Sequence, residues 1–379
     1  MKIRTLLTST LIVAVAVHFA ALKSNAANIP PYIDTTANHI SMNGGDWNHI
    51  RQAIDDAGQK SATDKVVRIL HIGDSHIQAE FVTNHLRKLL QERYGNAGRG
   101  LICPLRLAGT NQPVDYKITS TGGGEWTQTR LLKYPWPVEP GLTGIAARPS
   151  EATTVVFHPM GDGHEVLNAT FLTSDGVKNV SYPVAQDSVT FAVRAGQSVY
   201  GAILDNGRPG LLYSAIGNNG ACYTDYSLIK GFAARTRVFA PDLIVLSMGT
   251  NEGFSTMSDA QIERSVRDLV TTLRDYNPQA SMLILLPMEC QKNRNHGHKP
   301  LSPYYDINTR VAQAKDIIAR TAADMHVPVW DFYTVAGGRG ASDRWLADGL
   351  MNKDRIHLVR PGYELMAELL YRAIIERLD

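Results

Sequence analysis

The sequence predicts an α/β protein: a doubly wound, five-stranded parallel sheet interrupted by an inserted antiparallel β-sandwich. Two textures lead there. Short apolar runs, each followed by an amphipathic segment, occupy both ends of the chain; a stretch rich in Gly, Thr, Ser and Val, without helical periodicity, separates them. Strand–helix alternation builds a parallel sheet with helices on both faces. Period-two alternation builds half-buried antiparallel strands.

The chain begins with Lys2 and Arg4, an apolar run at 11–21, and then Lys23, Ser24, Asn25 and Ala26. A charged start, a short apolar core and small residues at the cut describe a secretory signal peptide. The run is shorter than the ~20 apolar residues of a membrane span. Cleavage after Ala26 is expected, leaving a periplasmic or secreted chain with no membrane span. The loss of Lys2, Arg4 and Lys23 takes the formal charge from +2 to −1.

Five apolar runs follow, at 66–72, 211–216, 243–248, 282–286 and 327–332. They are rich in Val, Ile and Leu and lack clean alternation, the pattern of parallel strands buried on both faces. Helices are expected at 78–94, stopping at Gly95, and from Ser258 to about 276, where Ser258 and Gln261 read as a capping box. Two more are expected from Ser302-Pro303 to about 325 and over 362–378. Between the first and second runs, Val189, Phe191 and Val193 alternate with polar or small residues, and Asp175-Gly176 and Asn206-Gly207 mark hairpin ends. The expected organisation is therefore a signal at 1–26, an α/β domain split into 27–112 and 211–379, and a β insert at 113–210 with a small core of its own.

Composition narrows the function. With 44% hydrophobic and 20% charged residues the chain is ordinary globular protein, and a formal charge of +2 gives no support to nucleic-acid binding. Cys103, Cys222 and Cys290 are too few for a disulfide scaffold and lack the spacing of a zinc or redox motif.

Three fragments carry chemistry. Gly73-Asp74-Ser75-His76 ends the first strand where a helix begins, placing Ser75 where open α/β sheets bind ligands. Taken alone, Asp74 and Ser75 read equally well as a helix cap. Gly249-Thr250-Asn251-Glu252 follows the third strand; Asn251 can aim its amide above the serine, or simply serve a turn. Asp354-Arg355-Ile356-His357 precedes the last helix and can supply a base with the carboxylate that orients it, or an exposed charged turn. Nucleophile, oxyanion donor, Asp and His thus run in order across the sheet, and the combination outweighs each fragment.

On these residues the chain resembles the SGNH hydrolases, the GDSL-type esterase superfamily, whose fold is flavodoxin-like. Gly73-Asp74-Ser75, Gly249-Thr250-Asn251 and Asp354-Arg355-Ile356-His357 match its first, third and last blocks. The second falls in Gly217-Asn218-Asn219-Gly220, where Gly220 is aligned with the family's glycine and Gly217 is the alternative. The resemblance implies Ser75 as nucleophile, His357 as base and Asp354 as its orienting carboxylate. It implies an oxyanion hole from the N–H groups of Ser75 and Gly220 and the amide of Asn251. Asp74 would support the nucleophile turn, and no metal or organic cofactor is required.

His76 stands where the family usually has Leu. That variant, the insert and export together are similar to peptidoglycan O-acetylesterases, in which the inserted domain resembles a carbohydrate-binding module. The implied partner is an acetylated polysaccharide, peptidoglycan first. Acetylated xylan or another glycan, an O-acetyltransferase reaction, and a non-catalytic glycan binder are the rivals; the complete Ser, Asn, Asp and His set argues against the last.

Other features read more plainly. His296-Gly297-His298 lies among Lys292, Arg294 and Lys299 and is expected to be a solvated loop on the catalytic rim. Gly122-Gly123-Gly124 is expected to be a turn, and Trp126 and Trp136 core before sugar platform. His76 is too near Ser75 in the chain to reach its hydroxyl in line.

Overall fold

The computed structural model describes residues 29–58, 65–161, 163–293 and 305–379; the signal-peptide reading and His296-Gly297-His298 lie outside them. All five apolar runs become strands of one sheet. β1 (Ile40–Ser41), β2 (Val66–Gly73), β3 (Gly210–Gly217), β4 (Leu243–Ser247), β5 (Ser281–Leu286) and β6 (Val329–Asp331) lie in the order β1-β6-β5-β4-β2-β3. β2 to β6 are mutually parallel. The sheet has one strand more than expected, because β1 pairs antiparallel with β6 and is only two residues long. A strand that short leaves no periodicity to read.

Both faces of the sheet are apolar, as the unbroken runs require. In β4, Ile244 and Leu246 join one core cluster while Leu243 and Val245 join the other. Counting only the parallel strands, the order is 2-1-3-4-5, with its switch point between β2 and β4. The loops leaving those two strands carry Ser75 and Asn251.

The helices that frame the site are α1 (Asn48–Gly58), α2 (Ser75–Gln78), α3 (Phe81–Tyr94), α4 (Asp259–Tyr276), α5 (Thr309–Asp324) and α6 (Arg360–Leu378); short helices at Phe232–Arg235, Phe332–Val335 and Ala341–Ala347 lie between them. α4 opens on the expected box: Ser258 Oγ accepts from Gln261 N, and Gln261 Oε1 accepts from Ser258 N. Two expectations fail. The helix expected over 78–94 is broken by Glu80, whose φ of 54° separates α2 from α3. The helix expected from Ser302-Pro303 starts at Thr309, capped by Asn308, because Tyr305–Ile307 pairs antiparallel with Gln291–Asn293. Ser302 and Pro303 themselves lie outside the described residues.

Between β2 and β3 the chain builds two antiparallel sheets. Tyr116–Ser120, Thr153–Pro159 and Val189–Val193 form the smaller. Trp126–Arg130, Ile145–Pro149, Val199–Asp205, Val166–Thr173 and Gly176–Gln186 form the larger, which also takes Gly100–Ile102 against Val199–Asp205. Phe157 and Phe191 of the smaller sheet meet Phe171 of the larger at 5.6 and 4.7 Å between ring centroids, so the two sheets stack as a sandwich. Asp175 turns a hairpin as expected, whereas Asn206-Gly207 leads out of the insert into β3.

The sandwich does not keep a core of its own. Val155, Phe157 and Phe171 belong to the same buried cluster as Leu70 and Ile72 of β2, Leu246 of β4 and Val266 of α4. The insert's apolar interior is therefore continuous with one of the two clusters that flank the parallel sheet. A buried ion cluster adds to the joint: Arg87 of α3 pairs with Asp115 at 2.6 Å, and Arg99 pairs with Asp115 at 2.8 Å and Glu80 at 2.5 Å. It ties the kink before α3 to the strand that enters the insert.

Candidate active site

β2 passes into α2 with no loop. Asp74 caps α2, its Oδ1 accepting the His76 N–H at 2.9 Å, and Ser75 takes the first helical position. The capping role and the site position of this fragment are thus both present. Far along the chain, the turn before α6 is folded by Asp354, whose Oδ1 accepts the N–H groups of Ile356 and His357 at 3.0 Å each. That turn brings Asp354 Oδ2 to 2.8 Å from His357 Nδ1. His357 Nε2 lies 2.8 Å from Ser75 Oγ. With Nδ1–H donated to the carboxylate, Nε2 is left to accept the serine proton.

The electrostatics match this arrangement. Partial burial would raise Asp354, but hydrogen bonds from the His357 ring and the two backbone N–H groups hold its carboxyl down at about 2. The same ring bond raises His357 above its ordinary value, against the opposing effect of burial. Burial pushes Asp74 up to about 7 despite the His76 N–H it accepts.

The two second-block glycines occupy different surroundings. Gly217 ends β3 beneath α2, where a Cβ would lie 2.1 Å from Gln78 N. Gly220 has φ +85° and open space around it; the nearest atoms to a Cβ would be those of Leu132, at 3.9 Å. Asn251 reaches the same loop, donating from Nδ2 to Ala221 O at 3.0 Å and to Asp74 Oδ2 at 3.3 Å. Its neighbour Glu252 is fully buried and accepts the Tyr223 N–H at 2.8 Å, a second tie between the loops after β3 and β4.

Hydrogen bonds thus link Ser75 to His357 and Asp354, and Asn251 to Asp74 and to Ala221, the neighbour of Gly220, at the carboxyl ends of β2, β3 and β4. Other residues placed around them carry no motif. Tyr363 of α6 hydrogen-bonds His76 Nδ1 at 2.8 Å, and the His76 ring lies 5.1 Å from that of His357. Burial, and His357 beside it, push His76 down to about 3, so it stays neutral and does not replace His357 as base. Tyr226 donates its hydroxyl to Gly73 O at 2.5 Å, under the nucleophile turn. Gln78 Oε1 accepts the Asn219 N–H at 2.8 Å. Only contacts across the fold reveal these three.

Gly122-Gly123-Gly124 turns between two strands of the insert, as expected. Trp126 and Trp136 pack partly buried against the core, and Trp136 donates Nε1–H to Leu131 O at 2.8 Å. Among the described residues no group of three or more His, Cys, Asp and Glu side chains is placed to hold a metal, and no helix is long and apolar enough to cross a membrane.

A serine, histidine and aspartate joined in this way at the switch point of a 2-1-3-4-5 sheet define a class. Residues 187–365 match the GDSL-like lipase/acylhydrolase family, a stretch that includes Asn251, Asp354 and His357 and begins after Ser75. The match spans just under half of the chain and identifies an SGNH/GDSL-type esterase domain within it. Its fold, insert included, is similar to that of a solved peptidoglycan O-acetylesterase: TM-score 0.76 and 23% identity, over 89% of this chain and 99% of the other. Two further structures match smaller parts. A lipase/acylhydrolase from Enterococcus faecalis is 20% identical over 45% of this chain and 78% of its own, with TM-score 0.33. The acetyl xylan esterase AlAXEase is 17% identical over 43% and 81%, with TM-score 0.33. No curated protein matches the chain in sequence.

Proposed function

We propose that the protein is an exported serine esterase that removes O-acetyl groups from a bacterial cell-wall glycan, peptidoglycan first. The observation that carries the reading is the continuous hydrogen-bonded path Ser75–His357–Asp354 at the switch point. The fold it shares with a peptidoglycan O-acetylesterase supports the substrate class, and the charged and apolar pattern of residues 2–26 supports export.

Ser75 Oγ attacks the acetyl carbonyl while His357 Nε2 takes its proton, and Asp354 stabilises the imidazolium. The tetrahedral oxyanion is held by the N–H groups of Ser75 and Gly220 and by Asn251. Asn251 keeps its bond to Ala221 O and exchanges the longer one, to Asp74 Oδ2, for the oxyanion. His357 returns the proton to the sugar oxygen, which leaves as alcohol. Water then gives a proton to His357 and attacks the acetyl-serine, releasing acetate and restoring Ser75. The open backbone at Gly220 favours it over Gly217 as donor.

The test is acetate release from O-acetylated peptidoglycan, beside acetylated xylan, by wild type and Ser75→Ala. Loss of a triad nucleophile should lower turnover at least ~10³-fold in a protein that stays folded. Near-wild-type turnover by Ser75→Ala ends the esterase mechanism; activity on xylan but not peptidoglycan ends the substrate assignment.

A further inference from the structure

The loop of the insert that follows Trp126–Arg130 reaches the oxyanion side of the site. Arg130, Leu131, Leu132 and Lys133 face Gln78, Asn218 and Asn219 across a cleft. Gln78 lies three residues beyond Ser75 on α2, and Asn219 is the neighbour of Gly220, so the cleft begins about one helical turn from the nucleophile.

Its charge is one-sided. Arg130 and Lys133 are the ionisable residues that line it, and no carboxylate does. A turn holds the two cations together, Lys133 N–H donating to Arg130 O at 2.9 Å. Neither side chain has an ion pair or hydrogen bond among the described residues, while Glu139, farther along the same loop, is already paired with Arg235 at 2.7 Å. Gln78 spends its side chain on Asn219 N and Thr110 Oγ1. Two like charges kept side by side without a counter-charge raise the local potential and draw an anion. Beside them Tyr134 is 78% exposed, edge-on to Trp136 at 5.6 Å, and offers a ring face to a sugar.

We propose that this cleft is a subsite for a carboxylate of the substrate, so that the enzyme selects acetylated glycans that carry acidic groups over neutral ones. The inference rests on the cell-wall reading above and sharpens it: peptidoglycan with free stem-peptide carboxylates supplies the group the cleft would bind, and a neutral acetylated xylan, free of uronic acid, lacks it.

The experiment compares native O-acetylated peptidoglycan with the same material after carbodiimide amidation of its carboxylates, and uses p-nitrophenyl acetate as a small neutral control. Wild type should favour the native polymer by about 5- to 20-fold in kcat/KM, chiefly through KM, the range of two partly exposed charge contacts. Added salt should erode that preference. The double variant Arg130→Gln, Lys133→Gln should lose the preference and keep its rate on p-nitrophenyl acetate within twofold; restoring charge with Arg130→Lys, Lys133→Arg should recover it. Equal treatment of the two polymers by wild type, or a preference that survives in the double variant, overturns the subsite while the cell-wall reading stands. Turnover of p-nitrophenyl acetate with no acetate from either polymer overturns both. A parallel loss on the small ester would show that the cations support the catalytic loop instead.

Discussion

Asp354→Asn is a near-isosteric change whose effect can be worked out atom by atom. Oδ1 accepts the backbone N–H groups of Ile356 and His357 at 3.0 Å each, and only an oxygen can stay there. The new amide nitrogen must therefore take the place of Oδ2, 2.8 Å from His357 Nδ1. An NH₂ in that position donates, so Nδ1 becomes an acceptor and the ring proton moves to Nε2. Nε2 then presents N–H to Ser75 Oγ in place of a lone pair, and the serine proton has nowhere to go. The turn survives while the base is lost. A wrong tautomer of this kind costs roughly 10³–10⁴ in kcat, about 4–5.5 kcal/mol of barrier. The assay is steady-state hydrolysis of p-nitrophenyl acetate at pH 7.5, with circular dichroism to establish folding. Asp354→Ala, which leaves the ring free to adopt either tautomer, should be no worse than Asp354→Asn. An Asn variant within tenfold of wild type would refute the reasoning.

Three other outcomes follow from the same structure. His357 must be neutral to accept the serine proton, and its bond to Asp354 raises its pKa, so the acid limb of kcat/KM should fall above the ordinary imidazole value of 6.5 and move lower in Asp354→Ala; a limb unmoved by that substitution would contradict it. The linkage has the opposite sign: the stability this raised pKa contributes is present below the unfolded value and is lost as pH rises through the folded one, so the triad is tightest where it is inactive. Asn251→Ala should lower kcat by roughly 10²–10³ with KM nearly unchanged, and a raised KM with intact kcat would assign Asn251 to substrate positioning alone. Arg99→Met leaves Glu80 and Asp115 buried with one cation fewer and should cost about 3–5 kcal/mol in urea unfolding; a loss under 1 kcal/mol would mean the cluster is not a structural joint.

The insert is where the expected and observed organisation diverge most. Its alternating strands were legible, but their core merges with Leu70, Ile72 and Leu246 of the parallel sheet. Replacing it with a linker would cut into that shared cluster, so its contribution to substrate selection is better tested at Arg130 and Lys133 than by deletion.

What the sequence by itself determined is what local chemistry encodes. A strand buried on both faces needs an unbroken apolar run, and all five such runs became parallel strands. A helix start needs a cap, and Asp74 and Ser258 supply theirs within three residues. The candidate catalytic fragments could be read because each is a few residues at an element's end. Tertiary structure decided everything that joins distant segments. The bond between Ser75 and His357 spans 282 positions. Glu80, at φ 54°, breaks a helix whose sequence looks continuous, and its carboxylate pairs with Arg99 of a later segment. Tyr305–Ile307 is a strand because Gln291–Asn293 lies beside it. Tyr363, Gln78 and the cleft at Arg130 acquire their places only when α6, α2 and the insert meet at the switch point, because contact energies depend on which surfaces the topology brings together and local propensity carries no record of that choice.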